Sequence, residues 1–440
     1  MKYKTIQLSH TQEIIQTYGV NSLMAKVIES KKIDQKQFKS FMDPHLIYHD
    51  FSLFEEADET LERIEEAIAN KEKICIYGDY DCDGILATTI LVQAFHERGV
   101  EVGYHIPNRF TDGYGLNTTR VEQMAEKGYS LIITVDNGIK AFDAVEKAGE
   151  LGIDVIITDH HAFDGEVPVA YSIIHTKMSP KYPFKEICGG FIAYKLAAAL
   201  LKHHDPYLFT LASITTISDM MPLLDENRSL VRRGLQFMKQ YKYPSLELLK
   251  GSRDYDATTI GFTIAPRINA FGRLPELVNP VYLVKYFLKE ADHAYLDKIS
   301  NYASKINSKR QSLTTSLYKE AVTDTSSPCL FYGSENMHEG LVGLVAGKYT
   351  REYEQPAFVM HYNPKEEIYK GSARGIDGFN IYNFFTHHED LFVQYGGHAK
   401  AGGFTITKSN YPLVYDALMN DIKGCHFEAS ESVIPITLTD

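Results

Sequence analysis

Residues 73–84 read KICIYGDYDCDG, and this stretch decides the fold. Lys73–Gly78 is a short apolar run closed by glycine and acidic residues, and Ile85–Arg98 follows with helical periodicity. That is a strand feeding a helix through a tight acidic loop. Working outward, Glu101–Ile106 is a second strand candidate, and Leu131–Val135 (LIITV) and Val155–Thr158 (VIIT) are two more, separated by the helical stretch Lys140–Leu151. Continuous β-branched runs alternating with amphipathic helices predict a parallel sheet covered on both faces. The fold class is α/β, with a doubly wound first domain.

From Cys188 to about Lys250 the pattern turns helical, and Ala291–Val322 runs without Gly or Pro as one long helix bridging two domains. After Ser326-Ser327-Pro328 a smaller α/β domain begins, with strands near Cys329–Tyr332 and Ala357–His361. A chain of 440 residues is too long for one ordinary core. Its hydrophobic fraction of 44% and charged fraction of 23% are those of a folded protein. No apolar run is long enough to span a bilayer, so no membrane partner is expected. The opening MKYKTIQLSHTQEI lacks a signal-peptide core, and the 5 cysteines form no CxxC pair; a reducing cytoplasm fits. The net charge of −12 argues against a nucleic-acid coat protein. It leaves a nuclease open, because carboxylates that hold cations are counted as negative.

Four strand or helix ends carry acids or histidines. Asp79, Asp81 and Asp83 follow the first strand, Asp136 follows LIITV, Asp159-His160-His161 follow VIIT, and ASITTISDMMPL contributes Asp219. Functional groups in open α/β sheets gather at such ends. Three aspartates within five residues repel one another unless cations sit between them, and carboxylates mixed with imidazole suit Mn²⁺ or Mg²⁺. Two such ions roughly 3.5–4 Å apart can hold both charged oxygens of an in-line phosphoryl displacement. A shared carboxylate is needed, and Asp136, alone at its strand end, is the best candidate. Taken singly, each group has a plainer reading: Asp136 as a helix N-cap, DxDxDG as half a calcium loop without its closing Glu. All of them on successive ends of one sheet point to a metal-dependent phosphodiesterase.

With DYDCDG, VDNG and SDMMPL, the Asp159-His160-His161 triplet resembles the DHH phosphodiesterase superfamily. His105–Phe110 with Gly113-Tyr114-Gly115, Arg267–Arg273 (RINAFGR) and Gly396-Gly397-His398-Ala399 are similar to segments of the RecJ exonucleases, and the resemblance covers nearly the whole chain. It implies a 5′→3′ exonuclease that degrades single-stranded DNA to mononucleotides with two Mn²⁺ or Mg²⁺ ions, in DNA repair and recombination. Carried over by motif, Asp79, Asp81, Asp83, Asp136, His160 and Asp219 form the metal shell. His161 then sits beside the scissile phosphate, as a ligand or as a proton donor, and Asp159 orients a neighbouring histidine. The domains implied are an N-terminal extension at 1–55, the DHH domain at 56–290, the connecting helix at 291–325 and a DHH-associated substrate domain at 326–440.

A single strand needs a groove for its backbone and a stop for its end. Arg109 can fork onto a phosphate, and Arg267, Asn269 and Arg273 lie in a loop that positions substrate. In the second domain Ser372 and Arg374, with the glycine-rich Gly396-Gly397-His398, suit a phosphate pocket. Tyr114 and Phe271 are candidate stacking surfaces. Long RecJ proteins continue into an oligonucleotide-binding barrel for which too few residues remain here, so a helicase or single-strand-binding protein is an expected partner. Two other readings stay open: a phosphodiesterase for short oligonucleotides or cyclic dinucleotides, and a catalytically silent scaffold.

Overall fold

The computed structural model describes the chain except at positions 1, 6, 7, 31, 43, 44, 114, 164, 324, 325, 424, 426–432 and 437–440. The described residues form two compact units, one of residues 35–307 and one of residues 1–34 with 308–440.

The unit of residues 35–307 is built on five parallel strands: β1 (Ile74–Tyr77), β2 (Gly103–His105), β3 (Leu131–Val135), β4 (Asp154–Thr158) and β5 (Ser172–Ile174), in the order β2-β1-β3-β4-β5. Tyr77 lies opposite Thr134, and Val135 opposite Thr158, so β1, β3 and β4 end together on one edge. The strand order reverses between β1 and β3. Chain crossings diverge there and leave a crevice at the carboxyl ends, the usual ligand position of such sheets. Four of these strands follow from the apolar runs; β5 escapes sequence reading because three residues carry too little periodicity.

One face of the sheet, presenting Cys75, Tyr77, Ile132, Val155 and Ile157, packs on Val121, Met124, Ala144, Val145 and Ala148 of two flanking helices. Burying each large apolar side chain there stabilises the unit by roughly 1.5–3 kcal/mol. Three further helices, α1 (Cys82–Glu97), α2 (Gly189–Leu201) and α3 (Pro206–Ser218), pack against one another. Every residue of α1 from Cys82 to Phe95 is buried, as expected of a helix apolar on all sides. Asp205 starts α3 by accepting the N–H groups of Tyr207 and Leu208, with Pro206 in the first turn.

The RINAFGR segment corrects a reading made from sequence. It is not a loop: α4 (Ala265–Arg273) is helical and continues directly from a π-turn at Ile260–Ile264. Pro266 is tolerated because it lies in the first turn, and Gly272 marks a close approach, described below, not a chain reversal. The long helix is present as α5 (His293–Ala321), 29 residues without interruption.

The second unit carries β6 (Leu330–Ser334), β7 (Ala357–Asn363), β8 (Ile368–Arg374), β9 (Gln394–His398) and β10 (Ala401–Thr407), in the order β9-β10-β8-β7-β6. Only β6 and β7 run parallel; the other pairings are antiparallel. Phe358, Met360, Ala373, Phe404 and Ile406 form its core with Phe384, Phe385, Val414 and Leu418. Helix α6 (Val342–Tyr353) also packs on β7 and β8. Residues 2–5 pair in parallel with residues 433–436.

Candidate metal centre

The acidic loop after β1 is held by contacts that admit few alternatives. A Cβ on Gly84 would come within 2.6 Å of Asp79 backbone atoms, and one on Gly78 within 2.0 Å of Thr88 Oγ1. Glycine is therefore required at both positions for the turn to close. The Asp81 side chain accepts the Gly84 N–H at 3.1 Å and caps α1. The Asn269 side chain accepts the Cys82 N–H at 2.7 Å, and a Cβ on Gly272 would fall 2.1 Å from the Tyr80 carbonyl. Helix α4 thus braces the loop.

Asp83 lies in the first turn of α1, and its two oxygens accept the Gly189 and Gly190 N–H groups at 2.9 and 2.8 Å. These are the first amides of α2, where unpaired N–H groups and the helix dipole favour an anion. A Cβ on Gly189 would meet Asp136 at 2.5 Å, and one on Gly190 would meet Thr215 at 2.5 Å and the Asp83 carboxylate at 2.8 Å. Sequence reasoning missed this glycine pair. The doublet at the mouth of an apolar helix was the available signal.

Asp136 sits at the end of β3 with φ of 63°, a left-handed conformation that aspartate tolerates better than most residues. It is not a helix N-cap, since the next helix begins at Phe142. Asp136 Oδ1 is 3.1 Å from His160 Nε2, which lies 3.6 Å from Asp219 Oδ2 and 3.8 Å from Asp83 Oδ2. Two groups of possible ligand atoms result, Asp79-Asp81-Asp136 and Asp83-His160-Asp219, each within 4.8 Å. Asp136, His160 and His161 also cluster this closely. The third group is the weaker one, because His161 Nδ1 is already 2.7 Å from Asp159 Oδ1. Asp159 also accepts the N–H groups of Ile139, His160 and His161. It is an anchor for the histidine pair.

Electrostatics show that the carboxylates are crowded. Burial, then the Asp81 charge, lifts Asp79 to about 8, and burial with Asp83 does the same for Asp219. Asp83 rises to about 6 by burial and Asp81, opposed by the Gly190 and Gly189 amides. Asp136 is raised well above the carboxylate range by burial and Asp83. Burial and the neighbouring His161 lower His160 to about 3, which leaves it neutral and able to bind a metal. Burial alone would lower His161, but its bond to Asp159 carries it to about 9. Asp79 Oδ1 and Asp136 Oδ1 are buried with no hydrogen-bond donor among the described residues. Buried carboxylate oxygens without donors, in mixed carboxylate and imidazole sets, fit hard divalent cations.

The other expected residues divide. The Arg109 guanidinium lies 5.4 Å from the Tyr80 ring centroid and close enough for its charge to act on Asp79. Asn269 is at the loop, and the Arg273 charge reaches Tyr80. Arg267 is not brought there: its guanidinium donates to the Leu249 carbonyl. Phe271 is fully buried and offers no stacking face. Tyr114 lies outside the described residues. Cys82 is a buried small side chain.

In the second unit, Ser372 lies opposite Gly403 and Gly403 opposite Gly396, while Arg374 lies opposite Ala401 and Ala401 opposite His398. Ser372, Arg374, Gly396 and His398 therefore share one face over two adjoining rungs, with Gly397 between them on the other. Arg374 Nη1 donates to Ser372 Oγ at 2.6 Å, and a Cβ on Gly343 of α6 would sit 2.9 Å from Arg374 Nη2. A Cβ on Gly396 would meet no atom within 4 Å, so the strip above it is open. Gly343 was also missed, being an ordinary glycine within a helical pattern.

Residues 73–218 match the DHH family, N-terminal domain, and residues 326–424 match the DHHA1 domain. The single-stranded-DNA-specific exonuclease RecJ of Dickeya dadantii is 31% identical over 399 residues, which cover 82% of this chain and 68% of that protein. The chain belongs to the RecJ family. The RecJ of Bacillus subtilis is 37% identical over 393 residues, covering 87% of the chain but 49% of that protein, so the chain spans about half the length of this relative. The crystal structure of Thermus thermophilus RecJ with Mn²⁺ matches all of the chain with a TM-score of 0.84 at 26% identity, over 64% of its own length. A RecJ structure bound to manganese matches 84% of the chain with a TM-score of 0.73 at 28% identity. Among the described residues, no helix is long and apolar enough to cross a membrane.

Proposed function

We propose that the chain is a 5′→3′ exonuclease that hydrolyses single-stranded DNA to mononucleotides with two Mn²⁺ or Mg²⁺ ions. One observation carries this reading: two ligand groups, Asp79-Asp81-Asp136 and Asp83-His160-Asp219, adjoin each other, with Asp136 Oδ1 of the first 3.1 Å from His160 Nε2 of the second. That donor set suits two hard cations with Asp136 shared between them. When bound, the ions supply Lewis acidity and a hydroxide nucleophile at neutral pH. The chain's own groups do the rest. The Gly189 and Gly190 amides and Asn269 hold the loop carboxylates in place. Asp159 keeps the proton on His161 Nδ1 and so presents Nε2 outward, where a protonated ring can donate to the leaving oxygen.

Arg109 and Arg273 beside the loop suit the sugar-phosphate backbone, and Ser372 and Arg374 beneath the open glycine strip suit a terminal phosphate. The names of the relatives in Bacillus subtilis and Dickeya dadantii support the substrate, and the Mn²⁺ of the Thermus thermophilus structure supports the metal. Domains of 56–290 and 326–440 joined by a helix over 291–325, a cytoplasmic location, a role in DNA repair and recombination, and a helicase or single-strand-binding partner complete the proposal.

Labelled substrates test it. With Mn²⁺, 5′-labelled single strands should release labelled mononucleotide at once, and 3′-labelled strands only at the end of digestion. A blunt duplex and a cyclic dinucleotide should survive. Cleavage of the cyclic dinucleotide with single strands untouched would replace the reading with a small-substrate phosphodiesterase.

A further inference from the structure

Two large apolar side chains stand in solvent, one next to the candidate ligand Asp219 and one in a turn that packs on α3. Met220 follows Asp219 directly and is 88% exposed; Phe262 is 80% exposed. Each occupies an unusual backbone. Helix α3 ends with the Met220 N–H on the Ile217 carbonyl and the Met221 N–H on the Thr216 carbonyl, both at 3.1 Å. Met220 thereby takes φ of 57°. This is the left-handed closing position of a helix, which glycine fills most readily. A long side chain there is disfavoured and here buries almost nothing. Phe262 lies in the π-turn Ile260–Ile264, a distortion found mostly as a single turn and often at functional sites. The turn packs on α3, and a Cβ on its Gly261 would sit 3.7 Å from Ile217. Gly261, the residue before Phe262, thus lies against the last turn of α3, close in sequence to Asp219 and Met220.

We infer that Met220 and Phe262 form an apolar platform at the edge of the metal centre that contacts an unpaired nucleobase next to the bound phosphate. This rests on the proposed function. A phenyl ring and a polarizable thioether offer faces without hydrogen-bonding groups, so they accept any base by stacking and do not read its identity. In a duplex the base faces are covered by their neighbours. The platform would therefore add selection for single strands at the reaction centre itself. Its position beside Asp219 commits it to the nucleotide being cut or the next one.

The test is equilibrium binding by fluorescence anisotropy with the metal-free full chain, where no turnover intervenes. The probes are a fluorescein-labelled thymidine dodecamer and a dodecamer of the same backbone built from abasic sites. The unaltered protein should bind the base-bearing strand more tightly. Phe262→Ala removes an exposed ring, and Met220→Gly places the favoured residue at the left-handed position, so neither should harm the fold. Each should weaken binding of the base-bearing strand roughly fivefold or more and leave the abasic strand unchanged. Equal binding of both strands by the unaltered protein, or a base preference unmoved by both substitutions, would overturn the inference. Mononucleotide release from the dodecamer with Mn²⁺ is read separately. Its absence beside an intact base preference would sink the exonuclease reading and not the platform.

Discussion

Asp159 Oδ1 lies 2.7 Å from His161 Nδ1, and the same oxygen accepts the backbone N–H of His160 at 2.7 Å. One carboxylate therefore orients both histidines while staying out of the two ligand groups. Asp159→Asn should lower turnover by about 10- to 100-fold while the protein keeps its bound Mn²⁺. Metal content by elemental analysis beside kcat separates the roles. Loss of metal in this variant would make Asp159 a ligand.

Asp136→Asn keeps a residue that tolerates the left-handed backbone and removes the carboxylate proposed to be shared. It should abolish turnover. Without metal its Tm should equal or exceed that of the unaltered chain, because a buried carboxylate with an unpaired oxygen has gone. Added Mn²⁺ should then raise Tm little. A normal Mn²⁺-induced shift would remove Asp136 from the centre.

Acidity links the metal to stability. Burial and neighbouring charges raise Asp79 and Asp219 to about 8 and Asp83 to about 6 in the metal-free fold, from roughly 4 in an unfolded chain. A carboxyl raised in this way favours the fold below about pH 4 and loses that contribution as pH rises through its folded value. The metal-free protein should therefore melt lower at pH 8 than at pH 6. Mn²⁺ should raise Tm more at pH 8, and its binding at pH 7 should release protons. Calorimetry in buffers of different ionisation enthalpy checks the release. Heats independent of buffer would contradict it.

Two glycines make opposite predictions. Gly189→Ala pushes a methyl to 2.5 Å from Asp136 and should lower stability by about 1–3 kcal/mol along with Mn²⁺ affinity. Gly396→Ala enters open space and should leave Tm unchanged while weakening binding of a 5′-phosphorylated strand. Thermal melts with and without Mn²⁺, and strand binding, distinguish them.

Arg374→Ala removes the guanidinium that donates to Ser372. Binding of a 5′-phosphorylated strand should fall by roughly tenfold, as for loss of a charge-assisted hydrogen bond, and that of a 5′-hydroxyl strand much less. Equal losses would remove the end-recognition role.

Much of this was legible in the chain, for identifiable reasons. The strands Ile74–Tyr77, Leu131–Val135 and Asp154–Thr158 are runs of buried apolar residues, and the acids that follow them sit where a parallel sheet must end. The cluster of Asp79, Asp136 and His160, the proposed ligands, was readable because crowded carboxylates have few uses other than binding cations. Hidden elements depend on contacts distant in sequence. Gly189 and Gly190 matter because Asp83 and Asp136 lie against them, and Gly272 because Tyr80 does. Arg267 and Arg273 are equivalent in sequence, yet the fold turns one to the Leu249 carbonyl and the other toward Tyr80. Helix α4 stands where a loop is expected around Arg267, Asn269 and Arg273: Pro266 starts the helix and Gly272 permits close packing on Tyr80.

Crystals soaked in Mn²⁺ and measured at the manganese absorption edge test the shared-carboxylate centre most directly. Two anomalous peaks are expected, one against Asp79 and Asp81, the other against Asp83, His160 and Asp219, with Asp136 touching both. A single peak, or two peaks of which only one touches Asp136, would contradict it.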